Sequence, residues 1–255
     1  MKSSDRSGLD IRTSDQVVTA EHQLGQLSEE FPASARERIH QSPLFMPPSV
    51  MRRIIFFNEL YKLIVSVPGA LIQFGVRYGR DLAILSSLRA LYEPLDHNRK
   101  IVGFDTFRGF PSVDARDGNF ALAAVGELAT PDHYDHFLRE ALAEHERMSP
   151  GHHLRRFETV VGDAAETLEA YLERNPHTIV AMAYFDMDVY EPTRRCLEMI
   201  GPHLTKGSVL VFDELNCAEW PGETLAVREV LGLGAFALRR FPGISPSMAS
   251  FLVFE

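Results

Sequence analysis

The hydrophobic pattern between residues 70 and 214 alternates short apolar runs with longer amphipathic segments. The apolar runs predict strands at 70–76, 100–106, 158–163, 178–188 and 208–214, because short runs rich in β-branched and aromatic residues are typical of buried strands. Helices are predicted between them at 79–92, 164–174, 191–203 and 221–231. Strands that alternate with helices in this way favour an α/β fold, with a mostly parallel, doubly wound sheet and crossover helices.

The flanking segments follow other patterns. Residues 1–49 are polar, end in "MPPS" and predict an N-terminal arm with short helical pieces, and residues 50–255 predict one domain. Apolar residues at helical spacing predict a further helix within 49–69, ended by Pro68-Gly69. The tail, 235–255, has two apolar runs around a turn, which predict an antiparallel strand pair and a sheet of seven strands.

The segment 107–157 is a long polar insertion between the second and third predicted strands. It includes the helix-like stretch "PDHYDHFLREALAEHERM". Insertions of this length in a compact fold are usually functional lids or binding elements. We therefore expect 107–157 to be a lid or a binding element.

Charge and composition exclude several classes of protein. Lys and Arg number 26 against 35 Asp and Glu, a net charge of −9, which argues against nucleic acid as a partner. No apolar stretch reaches the roughly 18 residues of a membrane span, and the first residues lack the apolar core of a signal peptide. These features predict a soluble, cytoplasmic protein. Cys196 and Cys217 are too few for a disulfide framework and are expected to be free thiols.

Three motifs at predicted strand ends could bind a nucleotide-like ligand. "QFGVRYGRD" places Gly75 and Gly79 on a strand-to-helix turn, where the absence of Cβ lets a ligand approach the backbone. "GFDTFRGFP" ends a strand in Asp105, which could accept both hydroxyls of a ribose or simply cap a helix. "VVGDAAETL" places Asp163 where it could accept from an adenine amino group or cap the next helix. Both interpretations of each aspartate stay open.

Acids also end the fourth and fifth predicted strands. Asp186 and Asp188 in "FDMDVY" should point the same way from a strand, and Asp213 and Glu214 end the next strand. Like charges this close repel unless a cation or a shared proton compensates them. Oxygen-rich clusters suit a hard divalent cation such as Mg²⁺. In the structural alternative, Asp188 caps the following helix and Glu214 is solvated.

The motifs taken together resemble the macrocin O-methyltransferase family of S-adenosylmethionine-dependent enzymes. "QFGVRYG", "GFDTFRGFP", "VVGDAAETL", "YFDMDVYEPT" and "TKGSVLVFDELNCAEWPGETLAVREVL" carry the resemblance over residues 50–232. The arm "VVTAEHQLGQL" and the "ELYKL" helix are most similar to the branch that methylates a rhamnose-type deoxysugar in enediyne antibiotic assembly. The resemblance implies a Rossmann-like methyltransferase sheet and a metal-assisted methyl transfer to a sugar hydroxyl.

The resemblance also implies roles for individual residues. The donor S-adenosylmethionine, or its product S-adenosylhomocysteine, would contact Gly75, Arg77, Gly79, Asp105, Thr106, Gly162 and Asp163. Asp186, Asp213 and Glu214 would bind Mg²⁺ or a similar divalent cation, and Asp188 would be the general base. Gln73 replaces the acid usual at the end of the first strand, and Asp213-Glu214 replaces the usual pair of aspartates.

The resemblance predicts a small-molecule acceptor, a glycosylated natural product. The polar arm with its apolar pieces could pack on a neighbouring subunit and so predicts a homo-oligomer. A catechol or other phenol is an alternative acceptor, because the same metal and acids could activate an aromatic diol. A non-catalytic protein that retains the donor fold is an alternative from another class. Intact acids at 186, 188, 213 and 214 argue against it.

Overall fold

The computed structural model describes residues 14–119, 122–246 and 248–255. The chain divides into two compact units, with the boundary between Ile55 and Phe56. In the part of the chain that the structure describes, no helix is long and apolar enough to cross a membrane.

The first unit is helical, as predicted for the arm. It contains α1 (Asp15–Glu29), α2 (Ala35–His40) and the start of α3 (Pro48–Ile64). Ser14 begins α1 as its N-cap, and its side chain accepts a hydrogen bond from the N–H of Val17. Side chains of this kind satisfy backbone donors that the first helical turn leaves unpaired.

The second unit contains a sheet of six strands within the described residues. These are β1 (Ala70–Phe74), β2 (Ile101–Asp105), β3 (Phe157–Val161), β4 (Val180–Phe185), β5 (Leu204–Phe212) and β6 (Ser250–Val253). Their order is β3-β2-β1-β4-β5-β6. The first five are parallel and β6 is antiparallel to β5. The predicted parallel sheet is therefore confirmed.

The prediction of a seventh strand is wrong for the described residues. The first apolar run of the tail meets β6 only at an isolated bridge between Arg239 and Phe251. Two residues further on, the N–H of Phe241 donates to Ser245 Oγ, 2.9 Å away, in a turn rather than to a strand. Pro242 and Pro246 follow, and proline has no N–H to continue a ladder. The pairing therefore stops after one residue.

Crossover helices connect the strands, and the four predicted ones are confirmed to within a few residues. These four are α4 (Arg80–Tyr92), α6 (Ala164–Arg174), α7 (Tyr190–Ile200) and α8 (Pro221–Val230), and α5 (Tyr134–Arg147) is a fifth helix between the strands. The helix α5 lies within the insertion 107–157, and its predicted helical pattern is confirmed. A short 3-10 helix, Ala115–Asp117, precedes it.

The core forms one apolar layer on each face of the sheet. Leu71, Met182 and Tyr184 face a layer with α3, α4 and α5, whereas Ile72 and Ala183 face a layer with α6, α7 and α8. Neighbouring residues of a strand point to opposite faces, so buried strands with apolar residues at every position need cover on both sides. The doubly wound arrangement is thus confirmed.

A buried ion pair ties α4 to α5 on one face of the sheet. The guanidinium of Arg89 donates to Glu146, and also to the carbonyl oxygen of Arg156 at 2.8 Å. The N–H of Arg156 donates to the same glutamate at 3.2 Å. Removing one partner of such a buried pair typically costs about 3–5 kcal/mol, because the other charge is left without compensation. This pair therefore anchors the C-terminal end of the insertion.

Candidate active site

The sequence-predicted site residues follow the carboxyl ends of five parallel strands. Parallel strands bring these ends to one edge of the sheet, where open α/β sheets bind ligands. The segments in question are 75–79, 105–107, 162–163, 186–188 and 213–214. The sheet therefore places all of the predicted donor-binding and acidic residues along that edge.

The loop after β1 needs glycine at two positions. Gly75 has a φ of +83°, and a Cβ there would lie 1.8 Å from the carbonyl oxygen of Asp186. Gly79 has a φ of +76° and begins α4; a Cβ there would lie 2.2 Å from Leu138 Cδ1 of α5. Both positions combine a left-handed backbone with a close neighbour, which only glycine accepts without strain. The loop is thus packed between the turn after β4 and the insertion.

Asp105 holds this loop in place. Its Oδ2 accepts hydrogen bonds from the backbone N–H groups of Val76 and Arg77, at 2.6 and 2.7 Å, and its Oδ1 accepts from Phe107 N at 2.6 Å. A carboxylate has about four acceptor positions, so these three bonds leave limited capacity for a ribose. The ribose contact stays a prediction, whereas the loop contact was missed in the sequence because it joins residues far apart in the chain.

Gln73, which replaces an acid in the family pattern, is buried below the same loop. Its Nε2 donates to the carbonyl oxygen of Gly75 at 2.8 Å and lies 3.5 Å from Oδ2 of Asp81 in α4. An amide can donate where a carboxylate cannot. Gln73 therefore stabilises the loop from inside the sheet, and the buried carboxylate near it comes from Asp81, which the sequence did not single out.

Asp163 is the N-cap of α6. Its Oδ1 accepts from Ala165 N at 2.9 Å, and its neighbour Gly162 has a φ of +137°. The capping interpretation of this aspartate is thus observed. Capping leaves the second carboxylate oxygen for other contacts, and the adenine contact stays a prediction.

The turn after β4 differs from the predicted strand. The strand ends at Phe185, and Asp188 adopts a left-handed conformation with a φ of +61°. The expectation that the strand continues to 188, so that Asp186 and Asp188 point the same way from it, is therefore wrong. A residue in the left-handed conformation interrupts an extended strand, so the chain changes direction at Asp188 before α7 begins at Tyr190.

Asp188 lies in an acidic environment and is 8% exposed. Burial raises the pKa of its carboxyl well above the usual value, and the nearby charges of Glu214, Asp213 and Asp117 raise it further. The Arg77 guanidinium opposes this shift and lowers the same pKa. A buried carboxyl among other acids binds its proton tightly. Asp188 is therefore a stronger base, when ionised, than an ordinary aspartate.

The turn after β5 is held from two sides. The hydroxyl of Tyr184 donates to Asp213 Oδ1, and Oε2 of Glu223 in α8 accepts from the N–H of Glu214 at 2.8 Å. Glu223 is fully buried, and burial raises the pKa of its carboxyl well above the usual value. Sequence reasoning missed Glu223 because nothing in its helical pattern marks it as part of the site.

The predicted metal ligands are not arranged as a metal site. Across 14–119, 122–246 and 248–255, no three His, Cys, Asp or Glu side chains form a group that could hold one metal ion. One carboxylate oxygen of Asp213 already accepts from Tyr184. The described side chains thus form no ready metal-ligating group, and the assignment of Asp186, Asp213 and Glu214 to a divalent cation stays a prediction.

This chain is similar to known methyltransferases over most of its length. A family model described as a methyltransferase domain matches residues 72–215. The crystal structure of CalS11, a calicheamicin methyltransferase, is 40% identical with a TM-score of 0.92, and the match covers 96% of this chain and 95% of that chain.

Two further structures extend the comparison. An apo structure of CalS11, described as a TDP-rhamnose 3'-O-methyltransferase of calicheamicin biosynthesis, is 37% identical with a TM-score of 0.84 and 96% coverage of both chains. The O-methyltransferase NovP is 16% identical with a TM-score of 0.55 over 79% of each chain, a likeness in fold alone. The comparison with curated proteins gave no match.

The fold and the carboxyl-edge site define a methyltransferase of the Rossmann-like class. The chain belongs to the methyltransferase domain family whose model covers 72–215. It is an S-adenosylmethionine-dependent O-methyltransferase. The resemblance predicted from the five motifs is therefore confirmed.

Proposed function

We propose that this enzyme transfers a methyl group from S-adenosylmethionine to a hydroxyl of a deoxysugar that belongs to a natural product. The observation that carries the proposal is the likeness to CalS11 at 40% identity over 96% of the chain. The family model at 72–215 already includes the insertion, and the CalS11 match extends beyond it to take in most of the arm. TDP-rhamnose, named for a relative, is accordingly the first acceptor to test.

The donor would lie along the loop after β1. Gly75, Arg77 and Gly79 would contact its methionine end, because the two left-handed glycines let this loop turn tightly at the edge of the sheet. Asp105 with Thr106 would contact the ribose, and Gly162 with Asp163 the adenine. The hydrogen bonds from Val76 and Arg77 to Asp105 support this assignment, because they fix the loop before the donor binds.

The acceptor would lie between the donor and the insertion 107–157. The insertion contacts the donor loop directly: the hydroxyl of Tyr134 donates to the carbonyl oxygen of Tyr78 at 3.1 Å, and the two rings pack edge to face. Phe110 of the insertion also packs in a cluster with Val189 and Trp220, which follow β4 and β5. An insertion attached at both of these places is well situated to select the acceptor.

In the reaction, the acceptor oxygen bonds to the methyl carbon while the sulfur–carbon bond breaks. The electron pair of that bond stays on sulfur and yields S-adenosylhomocysteine, and the hydroxyl proton passes to the Asp188 carboxylate. The buried position of Asp188 supports its role as general base, since a raised pKa makes its ionised form a better proton acceptor. A linear arrangement of the acceptor oxygen, the methyl carbon and the sulfur, with the oxygen about 3 Å from the methyl carbon, would supply much of the acceleration.

The proposal is tested by acceptor profiling. The purified enzyme is incubated with S-adenosylmethionine and TDP-rhamnose, other TDP-deoxysugars, free sugars, or a catechol, and methylated products are identified by mass spectrometry. We expect methylation of a deoxysugar and none of the catechol. Transfer to the catechol alone would favour the phenolic alternative and overturn the sugar assignment.

The assembly state of the enzyme also stays a proposal. We propose a homo-oligomer, supported by the apolar side chains that helices α1 and α2 leave exposed. Val17, Leu27 and Ile39 are examples. Light scattering of the purified enzyme would measure the number of subunits, and a monomer at micromolar concentration would contradict the proposal.

A further inference from the structure

Asp117 is a buried carboxylate of the insertion that reaches the turn after β4. We propose that Asp117 is a positioning residue, which holds the backbone of this turn so that Asp188 faces the reacting hydroxyl. The inference rests on the proposed function, in which Asp188 accepts the proton. It gives the insertion a role in catalysis besides acceptor selection.

Two backbone donors fix the Asp117 carboxylate. Its Oδ1 accepts from Tyr190 N at 2.6 Å, and its Oδ2 accepts from Asp114 N at 2.6 Å. Tyr190 is the first residue of α7, and its N–H has no acceptor within that helix. A carboxylate at a helix N-terminus is also favoured by the helix dipole. Asp117 therefore joins the insertion to the start of α7.

Asp117 is 1% exposed. Leaving buried N–H groups without an acceptor is costly, so this contact is well suited to hold a defined backbone geometry. The contact lies two residues after Asp188, whose φ of +61° is unusual for a residue other than glycine. A carboxylate that fixes Tyr190 N thus restricts how Asp188 can be oriented.

Gly222 shows how closely the 3-10 helix, the turn after β4 and the first turn of α8 meet. A Cβ at Gly222, in the first turn of α8, would lie 2.3 Å from Asp117 Oδ1, 2.7 Å from Tyr190 N and 3.2 Å from the carbonyl oxygen of Asp188. No side chain larger than hydrogen fits there without moving these atoms. The 3-10 helix, the turn after β4 and α8 therefore form one packed unit behind Asp188.

Neighbouring contacts stabilise the same connection between the 3-10 helix and the start of α7. The Arg116 guanidinium stacks on the Tyr190 ring, 3.6 Å from its centroid. The carboxylate of Asp114 caps the 3-10 helix by accepting from Arg116 N at 2.9 Å. Arg116 and Asp117 of the short helix thus both contact Tyr190, the first residue of α7.

Kinetics of substituted enzymes test the proposal. We expect Asp117→Ala to lower kcat by about 10- to 100-fold, because small misplacements of a reacting group have effects of this size. The donor KM and the Kd for S-adenosylhomocysteine should change less than twofold. Asp117→Asn, which keeps an oxygen for Tyr190 N, should lose less. Asp132→Asn, the same change at an exposed residue of the insertion, is the matched control and should resemble the parent.

A mutant cycle distinguishes positioning from a general structural role. If Asp117 acts through Asp188, Asp117→Ala should lower single-turnover rates by less than twofold in an Asp188→Asn background. Equal losses in both backgrounds would overturn the proposal. Gly222→Ala serves as a second variant, since it keeps every hydrogen-bonding group but its methyl group displaces Asp117 Oδ1 and Tyr190 N. It should also lower kcat and leave the donor KM and the Kd for S-adenosylhomocysteine nearly unchanged.

Hydrogen exchange gives a readout that does not depend on the acceptor. Peptides that contain the Tyr190 amide should exchange faster in folded Asp117→Ala than in the parent or in Asp132→Asn. Unchanged exchange, or a kcat within twofold of the parent, would contradict the inference. If the parent methylates no sugar but exchange at Tyr190 still responds to Asp117→Ala, the proposed function fails, whereas the contact between Asp117 and Tyr190 is confirmed.

Discussion

The loop after β1 lies directly against the turn after β4: the α-carbon hydrogens of Gly75 face the carbonyl oxygen of Asp186. A Cβ on Gly75 would lie 1.8 Å from that oxygen. The loop after β1 and the acidic turn are therefore parts of one packed structure, and a change in either should affect the other.

Gly75→Ala is expected to disturb both the donor loop and the acidic turn. The added methyl group collides with backbone, and its φ of +83° is strained for alanine. We expect a loss of thermal stability and at least a tenfold rise in the Kd for S-adenosylhomocysteine, measured by thermal denaturation and calorimetry. Gly25→Ala in α1 is the control, since a Cβ there meets nothing within 4 Å. This control should bind normally, and a Gly75→Ala enzyme that does the same would refute the packing argument.

Substitutions of Asp163 can separate helix capping from adenine binding. Serine keeps an oxygen acceptor for Ala165 N and is as good an N-cap as aspartate, whereas alanine loses the cap at a cost of about 1 kcal/mol. If Asp163 also contacts the adenine, Asp163→Ser should keep the stability of the parent but weaken donor binding. Unfolding curves and calorimetry measure the two effects. Parent-like donor affinity in Asp163→Ser would leave capping as its role.

Asp188→Asn is expected to remove the general base. The amide cannot accept the hydroxyl proton, so kcat should fall by about 100-fold or more, because general-base catalysis typically contributes about 10²- to 10⁴-fold. The Kd for S-adenosylhomocysteine should stay within twofold, because the donor is held by other residues. Rates are measured with saturating donor and acceptor. Turnover close to that of the parent would show that another group takes the proton.

The predicted Mg²⁺ requirement is tested by chelation. The sequence-based hypothesis predicts that EDTA lowers turnover to background and that added Mg²⁺ restores it. The described carboxylates form no metal-ligating group. Full turnover after thorough chelation, with metal content checked by elemental analysis, would therefore contradict the hypothesis and agree with the present arrangement.

Several features of this enzyme could be predicted from local sequence. The parallel strands, the crossover helices and the glycines at 75 and 79 follow from apolar periodicity and from backbone requirements. Acids at the ends of strands could be assigned to one edge, because parallel strands end together. The motifs also indicated the methyltransferase family, which the comparisons confirm.

Other features were decided only by tertiary structure. The sequence pattern predicted a strand through residue 188, but the chain turns after Phe185 and places Asp188 in a left-handed conformation. Asp105 accepts hydrogen bonds from the N–H groups of Val76 and Arg77, and Asp117 accepts one from Tyr190 N. These hydrogen bonds join residues that lie 28 to 73 positions apart.

The physical reason is the range of the interactions involved. Periodicity reports which face of a helix or strand is buried, and this depends on neighbours along the chain. The partner of a buried carboxylate, and the pKa that burial and nearby charges give it, depend on which distant segments meet there. Local sequence thus determined the framework and the edge that carries the acids, and tertiary packing determined which acids hold the backbone and which one is buried among other charges.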